Sequence, residues 1–105
     1  MKIAITATGN QEDSLLDSRF GRCTYFAVYD TEKKATEFFK NPNKESASGA
    51  GPASVQFIAS KGAEKVVCGD FGGKAKALLE QLKIRMVVLK DPKKTIGEII
   101  QLLNK

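Results

Sequence analysis

The chain is expected to fold as an α/β protein, with a mixed five-stranded sheet ordered 3-2-1-4-5, an antiparallel second strand and about three helices. Three observations predict this. The stretch Glu64 to Lys83 passes from an apolar run (Val66, Val67, Cys68, with Ala63 before it) through Gly69-Asp70-Phe71-Gly72-Gly73 into a helical pattern. That makes half of a β-α-β unit. A second apolar run, Ile84 to Leu89, follows directly and precedes another helical pattern. Two short runs near the start are separated only by Thr31-Glu32-Lys33-Lys34, a connection too short for a crossover, so they pair as an antiparallel hairpin.

In chain order, Lys2 to Thr8 is the first strand, centred on the β-branched Ile3 and Ile5. Gly9 to Cys23 is a long polar loop, and loops of that length tend to be functional or disordered. Thr24 to Asp30 and Ala35 to Lys40 are the second and third strands. Asn41 to Pro52, rich in Asn, Ser, Gly and Pro, is a second loop. Pro52 suits a first helical turn, Val55, Ile58 and Ala59 give that helix an apolar face, and Gly62 ends it. From Lys74 the next helix places Ala75, Leu78, Leu79 and Leu82 on one face. After Asp91-Pro92, Thr95-Ile96-Gly97-Glu98 reads as a capping box opening a last helix with an Ile96, Ile99, Ile100, Leu103 stripe.

This order carries a geometric consequence. With the second strand hairpin-paired to the first, the third runs with the first again. Helical crossovers, which return the chain to the same end of the sheet, make the fourth and fifth parallel to it. The segments Gly9–Cys23, Asn41–Pro52, Gly69–Gly73 and Lys90–Lys94 should then lie at one edge, where α/β sheets bind ligands. Cys23 and Cys68 should face that edge together.

Composition narrows the function. Hydrophobic residues make up 42% and charged residues 28%, as in ordinary globular proteins. Nothing approaches the roughly 20 apolar residues of a membrane span, and MKIAITAT is too strand-like for a signal peptide, so a cytoplasmic protein of one domain, residues 1–105, is expected. The net charge of +5 suits an anionic partner, but the cations Lys33, Lys34, Lys61, Lys65, Lys83, Lys93, Lys94 and Lys105 are scattered. Nucleic acid is therefore not the expected partner.

The chain has no histidine, which removes imidazole acid–base catalysis and metal ligation. G-D-F-G-G-K is one residue short of a P-loop and has Ala75 where a Ser or Thr should bind magnesium. Carboxylates are dispersed, so two-metal hydrolysis has no site. No enzyme is expected. Cys68 reads either as a small core residue or as a metal ligand. Cys23, beside Arg19 and Arg22, reads as a thiol whose cations favour the thiolate. The glycines Gly69, Gly72 and Gly73 either permit a tight turn or cradle an anion.

The motifs DSRFGRCTYF (Asp17–Phe26), NP…GAGP (Asn41–Pro52) and VVCGDFGGKAKALLEQLKI (Val66–Ile84) together resemble the dinitrogenase iron–molybdenum cofactor biosynthesis family, NifX-like and akin to the C-terminal part of NifB. The resemblance covers nearly the whole chain. It implies a three-layer α/β/α, ribonuclease-H-like fold and a carrier that binds, without covalent bonds or turnover, a molybdenum-containing metal–sulfur cluster or its precursor. Such a cluster could be iron–molybdenum cofactor-like or a molybdenum–copper–sulfide, and purified protein is expected to come without it. Many members carry histidine before GAGP; this chain reads NKESASGAGP there, so histidine ligation does not transfer.

The expected metal ligands are then Cys23 and Cys68, with Ser46 and Ser48 nearby. Arg19 and Arg22 would balance cluster charge, and backbone amides of Ser48, Gly49, Gly51, Gly69, Gly72 and Gly73 would donate to its sulfurs. Two alternatives stay open. One is a regulatory or scaffolding module that binds an ATPase or redox protein of cofactor assembly; the other is a binder of phosphate ligands or nucleic acid.

Overall fold

The computed structural model describes residues 1–104; Lys105, one of the scattered cations, lies outside the described residues. Strands β1 (Lys2–Ala7), β2 (Tyr25–Asp30), β3 (Ala35–Lys40), β4 (Ala63–Cys68) and β5 (Arg85–Val88) form one sheet in the order β3-β2-β1-β4-β5. β1–β2 and β2–β3 are antiparallel, while β1–β4 and β4–β5 are parallel. Helices α1 (Ala50–Ser60) and α2 (Gly73–Gln81) cover one face, and α3 (Ile96–Leu103) covers the other. The expected ribonuclease-H-like sheet is present, with β1, β2 and β5 shorter by one residue at four of the limits read from the sequence.

Alternation along the strands explains the two layers. Ala4 of β1, Phe26 of β2, and Val66 and Cys68 of β4 point toward Val55 and Ile58 of α1 and Leu79 of α2. The intervening Ile3, Ile5, Ala27 and Val67 meet Ile96, Ile99 and Ile100 of α3. β1 is buried at five of its six positions, as a central strand with helices on both faces must be. Each fully buried large side chain, such as Ile5, Ile58 or Leu79, contributes roughly 1.5–3 kcal/mol relative to exposure.

Leu82 departs from the expected helical face. α2 ends at Gln81, Lys83 takes a left-handed φ of 61°, and Leu82 turns outward to 41% exposure. The backbone N–H of Ile84 then donates to Leu79 O at 2.9 Å, closing the helix and launching β5. Gly62, at φ 83°, ends α1 in the expected left-handed conformation.

The long first loop is ordered. Thr8 N donates to Leu15 O (2.9 Å), Asp17 N to Thr6 O (3.0 Å) and Leu16 N to Lys94 O (2.9 Å). The Thr6 hydroxyl, fully buried, donates to Asp17 O at 2.6 Å. The loop therefore folds back over the end of β1, and its backbone groups are satisfied by the strand and by the turn before α3.

Candidate functional site

The four segments expected at one sheet edge do meet there. Arg19 forms a bridge with Asp70, Asn41 N donates to Thr24 O (2.9 Å), and Leu16 is tied to Lys94. Phe20 holds the first loop down, with ring centroids 5.7 Å from Phe26 and 5.6 Å from Phe71. Asn41, 4% exposed, joins the first two segments: its Nδ2 donates to Gly21 O (3.0 Å) and Cys23 O (2.9 Å), and its Oδ1 accepts from Asn43 N (2.9 Å).

Between these segments lies a groove of about 330 Å³. Its walls are residues 20–22, the first turn of α1 from Gly49 to Pro52, and the first turn of α2 from Gly72 to Ala75. Two helix N-termini thus converge on one space. The first intrahelical bonds are Ala53 N to Gly49 O and Lys76 N to Gly72 O, so the amides ahead of them have no intrahelical acceptor. Neither helix has a side-chain cap, and neither has an acidic residue in its first turn. The partial positive charge of both ends faces the groove uncompensated. Lys74 and Arg22 add full charges at its rim.

The glycines divide by cause. A Cβ on Gly69 would stand 2.9 Å from Ser18 Cα, and one on Gly21 would stand 2.8 Å from Gly51 N, so close packing demands these two. A Cβ on Gly72 or Gly73 would meet no protein atom within 4 Å, and Gly72 has an ordinary extended φ of −64°. Neither crowding nor backbone conformation explains glycine there. What the missing side chains leave is open access to the α2 amides.

The thiols lie beneath this surface. Cys23 is fully buried, donates to Phe20 O at 3.3 Å and receives Asn41 Nδ2 at 3.8 Å. Cys68 is fully buried, with Sγ 3.4 Å from Asp70 O and 3.6 Å from both Asp17 O and Ser18 O. Burial pushes both thiols up, and the charge of Asp17 adds to the effect at each. Both are free, and each shift favours the protonated thiol.

This corrects the expectation of a thiolate at Cys23. Arg19 is drawn to Asp17 (Nε–Oδ1 3.3 Å), whose negative charge opposes ionisation of the thiol, and its own pKa is raised by that partner. Arg22 Nη1 donates to the carbonyls of Lys44 (2.9 Å) and Ser46, fixing the second loop rather than the thiol. Among the described residues, no cluster of three or more His, Cys, Asp or Glu side chains is placed to hold a metal ion.

Of the residues singled out from the sequence, the groove collects Arg22, Gly49, Gly51, Gly72 and Gly73. Arg19, Ser48 and the two thiols lie outside its lining, and Gly69 belongs to a separate cleft of about 390 Å³ with Leu16, Ser18 and Asp91. Lys74 was missed. Its signal was its place directly after Gly72-Gly73, where a cation faces whatever the helix end attracts. Among the described residues no helix is long and apolar enough to cross a membrane.

The whole chain, residues 1–105, matches the family model described as dinitrogenase iron–molybdenum cofactor. A comparison with curated proteins returned no match. Among solved structures, the apo form of the orange protein from Desulfovibrio gigas is similar at 32% identity and a TM-score of 0.90, over 97% of this chain and 85% of that one. A NifB candidate from Thermotoga is similar at 30% identity and a TM-score of 0.83, over the same shares of 97% and 85%. A candidate dinitrogenase from Methanocaldococcus jannaschii shares the fold at 18% identity and a TM-score of 0.59, over 96% of this chain and 88% of that one. The chain belongs to the dinitrogenase iron–molybdenum cofactor family.

Proposed function

Starting from that membership, we propose that the chain is a single non-catalytic binding domain that carries a small anionic metal–sulfur cluster, or its precursor, in the groove between α1 and α2. The carrying observation is the convergence of two uncapped helix N-termini on one space rimmed by Arg22 and Lys74. Amides of Gly51, Gly73 and Lys74 donate to sulfides at the cluster surface, and the helix ends and cations offset its charge. Burial of the cargo against Phe20 and Pro52 strengthens both effects by lowering the local dielectric.

The first contact is electrostatic, because both thiols are neutral and covered. Cys23 and Cys68 would become ligands only if residues 17–22 lift, the arriving metal then displacing each thiol proton to solvent. Recognition by amides and capture by thiols are then separate stages, and they can be separated by mutation.

The test is an anaerobic titration with tetrathiomolybdate, with and without copper(I), followed by absorbance and native mass spectrometry. Wild type is expected to show a saturable charge-transfer band and a discrete mass increment. Lys74→Glu should weaken binding by about tenfold, because it replaces an attraction at the rim with a repulsion. Cys23→Ser should leave the initial association intact while abolishing the slow, metal-dependent stage. Absence of saturable binding to folded protein would end the cluster reading. Binding that inorganic phosphate displaces at equal concentration would turn it toward a phosphate ligand, which helix N-termini also suit.

A further inference from the structure

The two edges of the sheet are finished differently. β3, the edge on one side, is six residues long and carries charged Glu37 and Lys40 at exposed positions. Its Phe39 ring lies under the Lys61 ammonium at 4.5 Å and packs edge-on against Phe57. Charged side chains guard that edge, whereas the guards at the other are shortness and flanking cations, which would not repel an acidic strand. β5, the edge on the other side, has four residues, pairs only with β4, and ends in Val88 at 56% exposure, the most exposed large hydrophobic side chain described.

Beside β5 runs a cleft of about 250 Å³ whose lining joins apolar Phe71, Met86 and Val88 with two cations, Lys76 and Lys90, and one carboxylate, Asp70. Met86 and Val88 share one face of β5 because side chains alternate, so this apolar part of the lining follows the strand direction. Further cations, Lys83 and Arg85, flank the start of the strand. A second copy of this chain is a poor occupant. Pairing two β5 edges would bring these cations together in a protein that already carries a net charge of +5.

We infer that the β5 edge is a docking site for an extended acidic segment of another protein, which adds as a sixth strand. Its backbone pairs with the outer N–H and C=O groups of β5, alternate apolar side chains pack on Phe71, Met86 and Val88, and acidic side chains meet Lys76 and Lys90. The inference stands whether or not the groove between α1 and α2 carries a cluster. It also places a docked partner against Phe71, whose ring touches Phe20 in that groove's wall.

The probe is a capped synthetic peptide that alternates glutamate and valine, titrated into isotope-labelled protein at low salt and followed by amide chemical shifts. Saturable shifts are expected at residues 85–90 and around Phe71 and Lys76. Val88→Asp, at an exposed position, should weaken binding by about tenfold or more, as should Lys90→Glu. The same peptide with alternate backbone nitrogens methylated should not bind, because strand addition needs those donors. Both variants should bind tetrathiomolybdate as wild type does, which keeps this test separate from the cargo test. Failure to bind, shifts centred elsewhere, or equal binding of the methylated peptide overturns the proposal. Self-association through β5, seen by sedimentation and lost in Val88→Asp, overturns it in favour of a second copy.

Discussion

The N-terminus of α3 and those of α1 and α2 solve the same problem in opposite ways. At α3, Thr95 Oγ1 accepts from Glu98 N (3.2 Å) and Glu98 Oε1 accepts from Thr95 N (3.0 Å), a complete capping box. The next two amides are taken by the first loop, Ile96 N by Ser14 O (2.9 Å) and Gly97 N by Glu12 O (2.8 Å). At α1 and α2 there is no side-chain cap and no acidic residue in the first turn. The sequence is able to cap a helix and does so where the end is purely structural. Where it leaves two ends open to one groove, the donors stay available, and under the proposed function a bound anion recovers the cap energy that the side chains do not supply.

The comparison breaks most sharply if α2 is given the cap it lacks. Gly72→Asp puts a carboxylate at an N-cap position whose extended backbone and free space accept it. Tetrathiomolybdate binding should fall by about 100-fold, since the aspartate occupies the donors and repels the anion. Over the same change the fold should gain about a few tenths of a kcal/mol, since glycine is itself a tolerated N-cap, read as a small rise in Tm. Binding that survives in a stabilised Gly72→Asp protein would mean that the open end serves no ligand.

The reciprocal change is Thr95→Ala, which opens the closed end. It should cost about 1 kcal/mol and lower Tm by about 4–8 °C for a chain of this size. Tetrathiomolybdate binding should not move, because α3 lies on the other face of the sheet. A drop in affinity would show that the two ends are not independent.

The smallest effect sharpens the same contrast through pH. The backbone and side-chain hydrogen bonds from Thr95 hold the exposed Glu98 carboxyl below the usual carboxylate range. A depressed folded pKa makes this contribution complete above the ordinary glutamate value of about 4.3 and lost as pH falls through the lower folded value. Thermal melts across that acid window should therefore show wild type losing a small increment that Glu98→Gln never had. Parallel curves for the two proteins would remove the charged cap from the account of α3.

Much of this was readable from the chain because the signals were local. The alternation in β1 and β4, the glycine turn before α2 and the T-x-x-E pattern at Thr95 each reside in a few neighbouring residues, and each fixed an element. The meeting of four segments at one edge followed from strand direction alone. The fate of Cys68 was half legible: alternation with Val66 turns it inward, but the cover over it comes from the carbonyls of Asp17 and Ser18, dozens of residues away. The arginines were not legible. Arg19 and Arg22 are near neighbours in sequence, yet Asp17 takes one and two carbonyls of the second loop take the other. Such choices depend on which loop arrives alongside, and a charge read from sequence has no direction.

Asn41 has a consequence for how the molecule ages. Its amide nitrogen binds Gly21 O and Cys23 O, so conversion to aspartate would set a negative oxygen against two carbonyls and release the loops that shape the groove. Asparagine usually undergoes that conversion when the amide nitrogen of the following residue attacks its side chain and closes a ring. The following residue here is Pro42, whose nitrogen carries no hydrogen and is already held in a ring of its own. The joint between the loops is thereby closed to the commonest spontaneous chemical damage an asparagine suffers. Asn43, one step further along and followed by Lys44, has no such shelter, and it is the site where deamidation of this loop should first be found.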